Sequence, residues 1–145
     1  MDSIVFEHFD QLDAHMLGER MRTEAIALGL PIVIDIRSED SPWYSVMLPG
    51  ASAENFDWAR RKRNLTLLTR LDTWALSQRR ANGDDVIVKL GLEEKDYASH
   101  GGCIPVFLTD NTLVATVTVS GLPQKDDHDL ALKHLTEFWL KQQKD

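Results

Sequence analysis

The clearest alternation of apolar and polar positions lies in the last third of the chain. Val106, Leu108, Leu113, Ala115, Val117 and Val119 alternate with Phe107, Thr109, Thr112, Val114, Thr116, Thr118 and Ser120. A period of two, rich in β-branched residues and bounded by Gly and Pro, predicts two strands. Asp110-Asn111 between them suits a tight turn, because both residue types tolerate the left-handed backbone that short hairpins need. Pairing through that turn lays His100-Gly101-Gly102 beside Ser120-Gly121-Leu122-Pro123. Two backbone stretches with few side chains would then floor a pocket flanked by His100 and His128.

The rest of the chain supplies helices and a second strand pair. Ala14, Leu17, Met21, Ala25 and Leu28 recur at three- and four-residue steps, predicting a helix over Asp10–Leu28 that Gly29 and Pro31 terminate. Ile32 to Ile36 predicts a short strand covered on both faces. Its Asp35 is read first as a surface-side residue on an edge, with a functional acid as the alternative. Trp43 to Leu48 predicts a strand antiparallel to it. A helix capped at Ser52, with Asn55 three residues on, is expected to continue with a bend to about Arg80.

That helix carries an apolar stripe of Phe56, Ala59, Leu67, Leu71 and Trp74, interrupted by Arg60-Arg61-Lys62-Arg63. Four consecutive positions span most of a helix circumference. Arg60 and Arg63 fall near the stripe and Lys62 well away from it. At least one of these cations must therefore lie along the protein or a subunit seam, against a carboxylate or a bound anion. Asp84 to Leu90 is open between helix and strand. A last helix, roughly Lys125 to Gln142, places His128 on its apolar side and His134 off it.

The expected architecture is α/β in the α+β sense: one domain over 1–145, an antiparallel sheet of about five strands flanked by helices. Three helices cannot cover both sheet faces in so small a chain, so a homo-oligomer is expected. Net charge is −7 across 145 residues, which argues against nonspecific nucleic-acid binding. No apolar run is long enough to cross a membrane, and the acidic N-terminal stretch does not read as a signal peptide. The single Cys103 fits a reducing, cytoplasmic setting.

The pieces His100-Gly101-Gly102-Cys103-Ile104-Pro105, Val119-Ser120-Gly121-Leu122-Pro123 and Asp126-Asp127-His128 together resemble the HbpS/GlcG-like haem-binding (haem-degrading) domain family. Trp58, Arg61, Lys62 and Asn64 match the Trp-x-x-Arg-Lys-x-Asn signature of its branch known as uncharacterised protein family 0303. The resemblance spans nearly the whole chain. It implies a profilin-like fold, a homo-oligomer, and haem or another anionic small molecule as ligand.

The ligand-binding candidates are His100, Gly101, Gly102, Ser120, Gly121, Asp127, His128, Arg61 and Lys62. In a haem reading, His100 or His128 ligates iron, Asp127 or Asp126 orients the imidazole, and Arg61 and Lys62 meet propionates. In a metal reading, His100 and His128 share a divalent ion with a carboxylate. Against both stands a plain structural role, with His128 packed in the core and His100 bonded within its loop. An enzyme using the same pocket and a structural or adaptor oligomer are the other classes kept open. Ser120 and Cys103 lack the sequence setting of a nucleophile.

Overall fold

The computed structural model describes residues 3–144. Five strands form one sheet: β1 (Val5–Phe6), β2 (Val33–Arg37), β3 (Pro42–Met47), β4 (Cys103–Leu108) and β5 (Leu113–Ser120), in the order β1-β4-β5-β2-β3. The expected hairpin is β4–β5, with Cys103 opposite Thr118 and Val106 opposite Ala115. Asn111 takes the left-handed conformation in its turn, with φ 72°. The sheet is mixed rather than wholly antiparallel, because β1 runs parallel to β4.

The two faces of the sheet are chemically different. Helices α1 (Gln11–Leu28) and α5 (Gln124–Gln143) cover the first. Leu17, Met21, Ala25, Leu135 and Phe138 pack there against Ile34, Ile36, Val117 and Val119. Asp10 caps α1 in a reciprocal bond pair with Asp13, and Gly29 closes it at φ 66°. The stripe ends one turn earlier than expected, since Leu28 is exposed. His134, expected off the apolar side of α5, is buried, its Nε2 2.5 Å from a Glu24 carboxylate oxygen on α1.

Helix α2 (Ala53–Thr69) lies over the second face, which is lined with polar side chains: Asp35, Thr116, Thr118 and Ser120, all buried. Asp35, Thr118 and Cys103 sit in one row across β2, β5 and β4. The alternation along β5 thus separates two buried faces, one apolar and one of hydroxyls, rather than inside from outside. Asp35 is not on an edge: β2 pairs with β5 on one side and β3 on the other. Its carboxylate accepts from Arg37 and from Ser45 Oγ.

The expected long helix is two. Arg70 adopts φ 64° after α2, and Asp72 caps α3 (Thr73–Ala81) by accepting from the Ala75 N–H. Asp84 to Leu90 resolves into a short helix, α4 (Val86–Lys89). Phe56 and Trp74 therefore lie on different helices. The buried side of α2 is Ala59, Lys62, Leu65 and Thr66, so the cation expected to point away is the one enclosed.

Candidate functional site

A cavity of about 260 Å³ opens between α2, the loop preceding β4 and the start of α5. Asn55, Trp58 and Lys62, three and four residues apart, line it from one side of α2. His100 comes from the loop; Ser120, Gly121 and Leu122 from the end of β5; Gln124 and Asp127 from α5.

Its floor is a buried ion pair. Lys62 is 3% exposed and Asp127 1%. Lys62 Nζ donates to Asp127 Oδ2 at 3.2 Å and to the Val119 carbonyl at 3.2 Å. Asp127 also accepts from the Leu122 N–H at 2.9 Å and the Gly121 N–H at 3.3 Å. Burial dominates both protonation equilibria. It pushes Asp127 up to about 6 despite the adjacent ammonium, and it lowers Lys62 despite the adjacent carboxylate. Burial thus works against the charged pair, and the mutual attraction of the two groups and the backbone donors to Asp127 work for it.

The loop glycines make this geometry. Gly102 has φ 141°, and a Cβ there would lie 2.4 Å from the Val119 carbonyl oxygen and 2.7 Å from Lys62 Nζ. Only a residue without a side chain lets the backbone pass over the lysine. The Gly101 N–H donates to Gln124 Oε1 at 2.9 Å, tying the loop to the first turn of α5.

His100 packs edge-on against Trp58, ring centroids 5.0 Å apart, and the Arg61 guanidinium covers Trp58 at 4.2 Å. Burial lowers the His100 pKa, with further contributions from Arg80, Lys62 and Arg61. Among the described residues its buried Nδ1 has no hydrogen-bond partner, nor has the buried Nε of Arg61. Asn64, the last residue of the signature, donates to the Asp96 carbonyl and ties the 93–98 turn to α2.

Five of the nine residues expected from sequence line the cavity: Lys62, His100, Ser120, Gly121 and Asp127. Gly101 and Gly102 form the adjoining backbone, and Arg61 buttresses from behind Trp58. His128 does not join them. The His128 Cβ lies 3.3 Å from where a Gly101 Cβ would stand, close against the loop, but His128 does not line the cavity. The His128 ring stacks on Trp74 instead, at 6.0 Å, with Nδ1 3.9 Å from Asp72.

Among the described residues no group of three His, Cys, Asp or Glu side chains converges as a metal ion would require, so a metal shared by His100 and His128 has no donor set here. Leu122 lines the cavity as part of the expected floor, whereas Asn55, Trp58 and Gln124 were not singled out as lining residues. The helical spacing of Asn55, Trp58 and Lys62 was the signal available for two of them.

Comparison with known proteins follows the fold closely. The family model described as "Haem degrading protein HbpS-like" matches residues 9–136. A UPF0303 protein of Azotobacter vinelandii is 42% identical over 131 residues, covering 90% of this chain and 79% of that one. The UPF0303 protein of Acidobacterium capsulatum is 38% identical over 132 residues, covering 90% and 80%. Among solved structures, the Ybr137w protein superposes with a TM-score of 0.84 at 25% identity, over 95% of this chain and 82% of that one. A PduOC–haem complex gives a TM-score of 0.71 at 20% identity, over 91% and 94%. That last similarity is one of fold.

Proposed function

Because this chain belongs to the haem-degrading-protein HbpS-like family, and to its UPF0303 branch, we propose that it is a binding protein for a small anionic molecule held at the Lys62–His100 cavity. The observation that carries this reading is the buried ammonium of Lys62 at the cavity floor, beside an acid poised to accept a proton. An incoming carboxylate or similar anion meets Lys62 as Asp127 is neutralised. His100, Asn55 and Gln124 supply polar contacts at the walls, and Trp58 a flat apolar one. The signature divides its work accordingly: Trp58 and Lys62 face the ligand, Arg61 holds Trp58, and Asn64 holds the neighbouring turn.

Haem fits this cavity poorly within one chain. Its volume, about 260 Å³, falls below the roughly 300–1,000 Å³ of ordinary ligand pockets. The haem named in the PduOC complex is therefore not carried over as an enclosed ligand of this chain.

The proposal includes a cytoplasmic, homo-oligomeric protein. Its support is the lone buried Cys103, the absence among the described residues of a helix long and apolar enough to cross a membrane, and the exposed apolar positions Leu12, Met16 and Ile26 on the outer side of α1.

Native mass spectrometry of freshly purified protein tests both parts. The expected spectrum is a multimer retaining a small non-covalent mass that Lys62→Met and His100→Ala lose. A retained mass insensitive to both substitutions, or a haem adduct whose Soret band survives His100→Ala, would overturn the reading.

A further inference from the structure

On the other flank of α2 lies a second concavity, of about 230 Å³, bounded by Asp35, Arg37, Phe56, Ala59, Arg60 and Arg63. Its charges do not cancel. The Asp35 carboxylate is taken up by Arg37, whose Nε and Nη2 donate to its two oxygens at 2.8 and 2.9 Å, and by Ser45 Oγ at 2.9 Å. Arg60 is turned outward, satisfied by Asp57, Asp96 and the Lys95 carbonyl.

Arg63 is left over. Its side chain is 15% exposed, its nearest carboxylate oxygen is 3.9 Å away on Asp35, and among the described residues it makes no hydrogen bond to protein. One carboxylate thus faces two guanidiniums; among the described residues Arg63 has no hydrogen-bond partner for its five N–H groups and Arg37 none for its Nη1 edge. Partial burial of such a cation disfavours its charge, through burial first and the neighbouring Arg37 second. A guanidinium in that position is stable when something supplies oxygen acceptors in its plane.

We propose that this concavity binds a compact oxyanion, with phosphate, sulfate and carboxylate as its chemical class. The anion is gripped by Arg63 and the free edge of Arg37 and bounded by Phe56 and Ala59. Asp35 fixes Arg37 and keeps the site from accumulating a second unpaired charge. The oxyanion has two sources, a free solute or the carboxylate of a second copy of this chain. The site lies across α2 from the Lys62 cavity and shares no lining residue with it.

The test is an NMR titration of the full chain with inorganic phosphate, ionic strength held constant with chloride. Saturable shifts are expected at Arg37, Phe56, Ala59 and the Arg63 side chain. They should weaken by at least about tenfold in Arg63→Gln, since charge-assisted bonds are lost, and persist in His100→Ala. Arg37 rather than Arg63 secures Asp35, so the variant should fold. Arg63→Lys, which keeps charge but loses the planar fork, should fall between.

Sedimentation of the phosphate-free proteins separates the sources. An assembly that becomes smaller in Arg63→Gln places a second subunit's carboxylate in the site, whereas an unchanged assembly leaves a free anion. Absence of saturable shifts together with an unchanged assembly would overturn the proposal. So would shifts of equal affinity in Arg63→Gln.

Discussion

Replacing Lys62 by methionine removes the ammonium while roughly keeping the length and volume of the side chain, so little cavity is created. Asp127 is left buried with two backbone N–H donors, from Gly121 and Leu122, and no cation. Removing one member of a buried pair costs about 3–5 kcal/mol, because the other charge stays desolvated. With a urea slope of about 2 kcal/mol per molar, the unfolding midpoint should fall by about 1.5–2.5 M.

The loss has a pH signature. Burial already pushes Asp127 up to about 6 from an ordinary 3.8, and Lys62 is the largest opposing influence. Without Lys62 the acid rises further. A group whose folded pKa is raised stabilises the fold fully below its unfolded value, and that contribution disappears as pH rises through the folded value. Urea unfolding should therefore show a small deficit at about pH 5, where Asp127 is protonated, and the full deficit at about pH 8. Lys62→Met/Asp127→Asn should recover more than half of it. Equal deficits at both pH values, or no recovery in the double variant, would refute the reasoning.

Anion affinity at the same cavity should rise as pH falls through about 6, the value for Asp127, because the acid must be neutral for an anion to share Lys62; calorimetric titration across that range checks it. Gly102→Ala should lower stability by about 1–3 kcal/mol, the cost of a strained backbone and a displaced Lys62, and should abolish ligand retention, as read by thermal unfolding and native mass spectrometry. The Cys103 thiol, buried against Thr66 and Thr118 and pushed up to about 11, should resist alkylation in the folded protein at mildly alkaline pH and react once urea unfolds the chain. Asn111→Gly should raise stability by a few tenths to about 1 kcal/mol, since φ 72° in the hairpin turn carries no penalty for glycine.

Much of the fold was legible because local signals agreed with one another. Alternation, turn residues and flanking glycines all pointed to the β4–β5 hairpin, and Gly29 marked the end of α1, whose expected first residue, Asp10, is its N-cap. What escaped had no local signal. Two residues, Val5 and Phe6, are too few to show a period, so the parallel edge strand was invisible and the sheet was expected to be antiparallel throughout.

The error at Lys62 came from the choice of stripe on α2 itself: Phe56 and Leu67 are only half-buried, and the buried side runs through Ala59, Lys62, Leu65 and Thr66. Asp35 read as an edge residue because a carboxylate in an apolar run is costly without partners, and Arg37 and Ser45, which supply them, meet it only in the folded sheet. The hairpin does bring the ends of the His100–His128 stretch together. Sequence could not show that the two rings would pack on different indoles, His100 with Trp58 and His128 with Trp74.

The most direct test of the binding site is to follow the Trp58 indole and His100 imidazole NMR signals while small mono- and dicarboxylates are added at mildly acidic pH. The account predicts that at least one carboxylate shifts both signals saturably, and that the shifts vanish in Lys62→Met. Signals unmoved by every carboxylate, or moved equally in Lys62→Met, would contradict it.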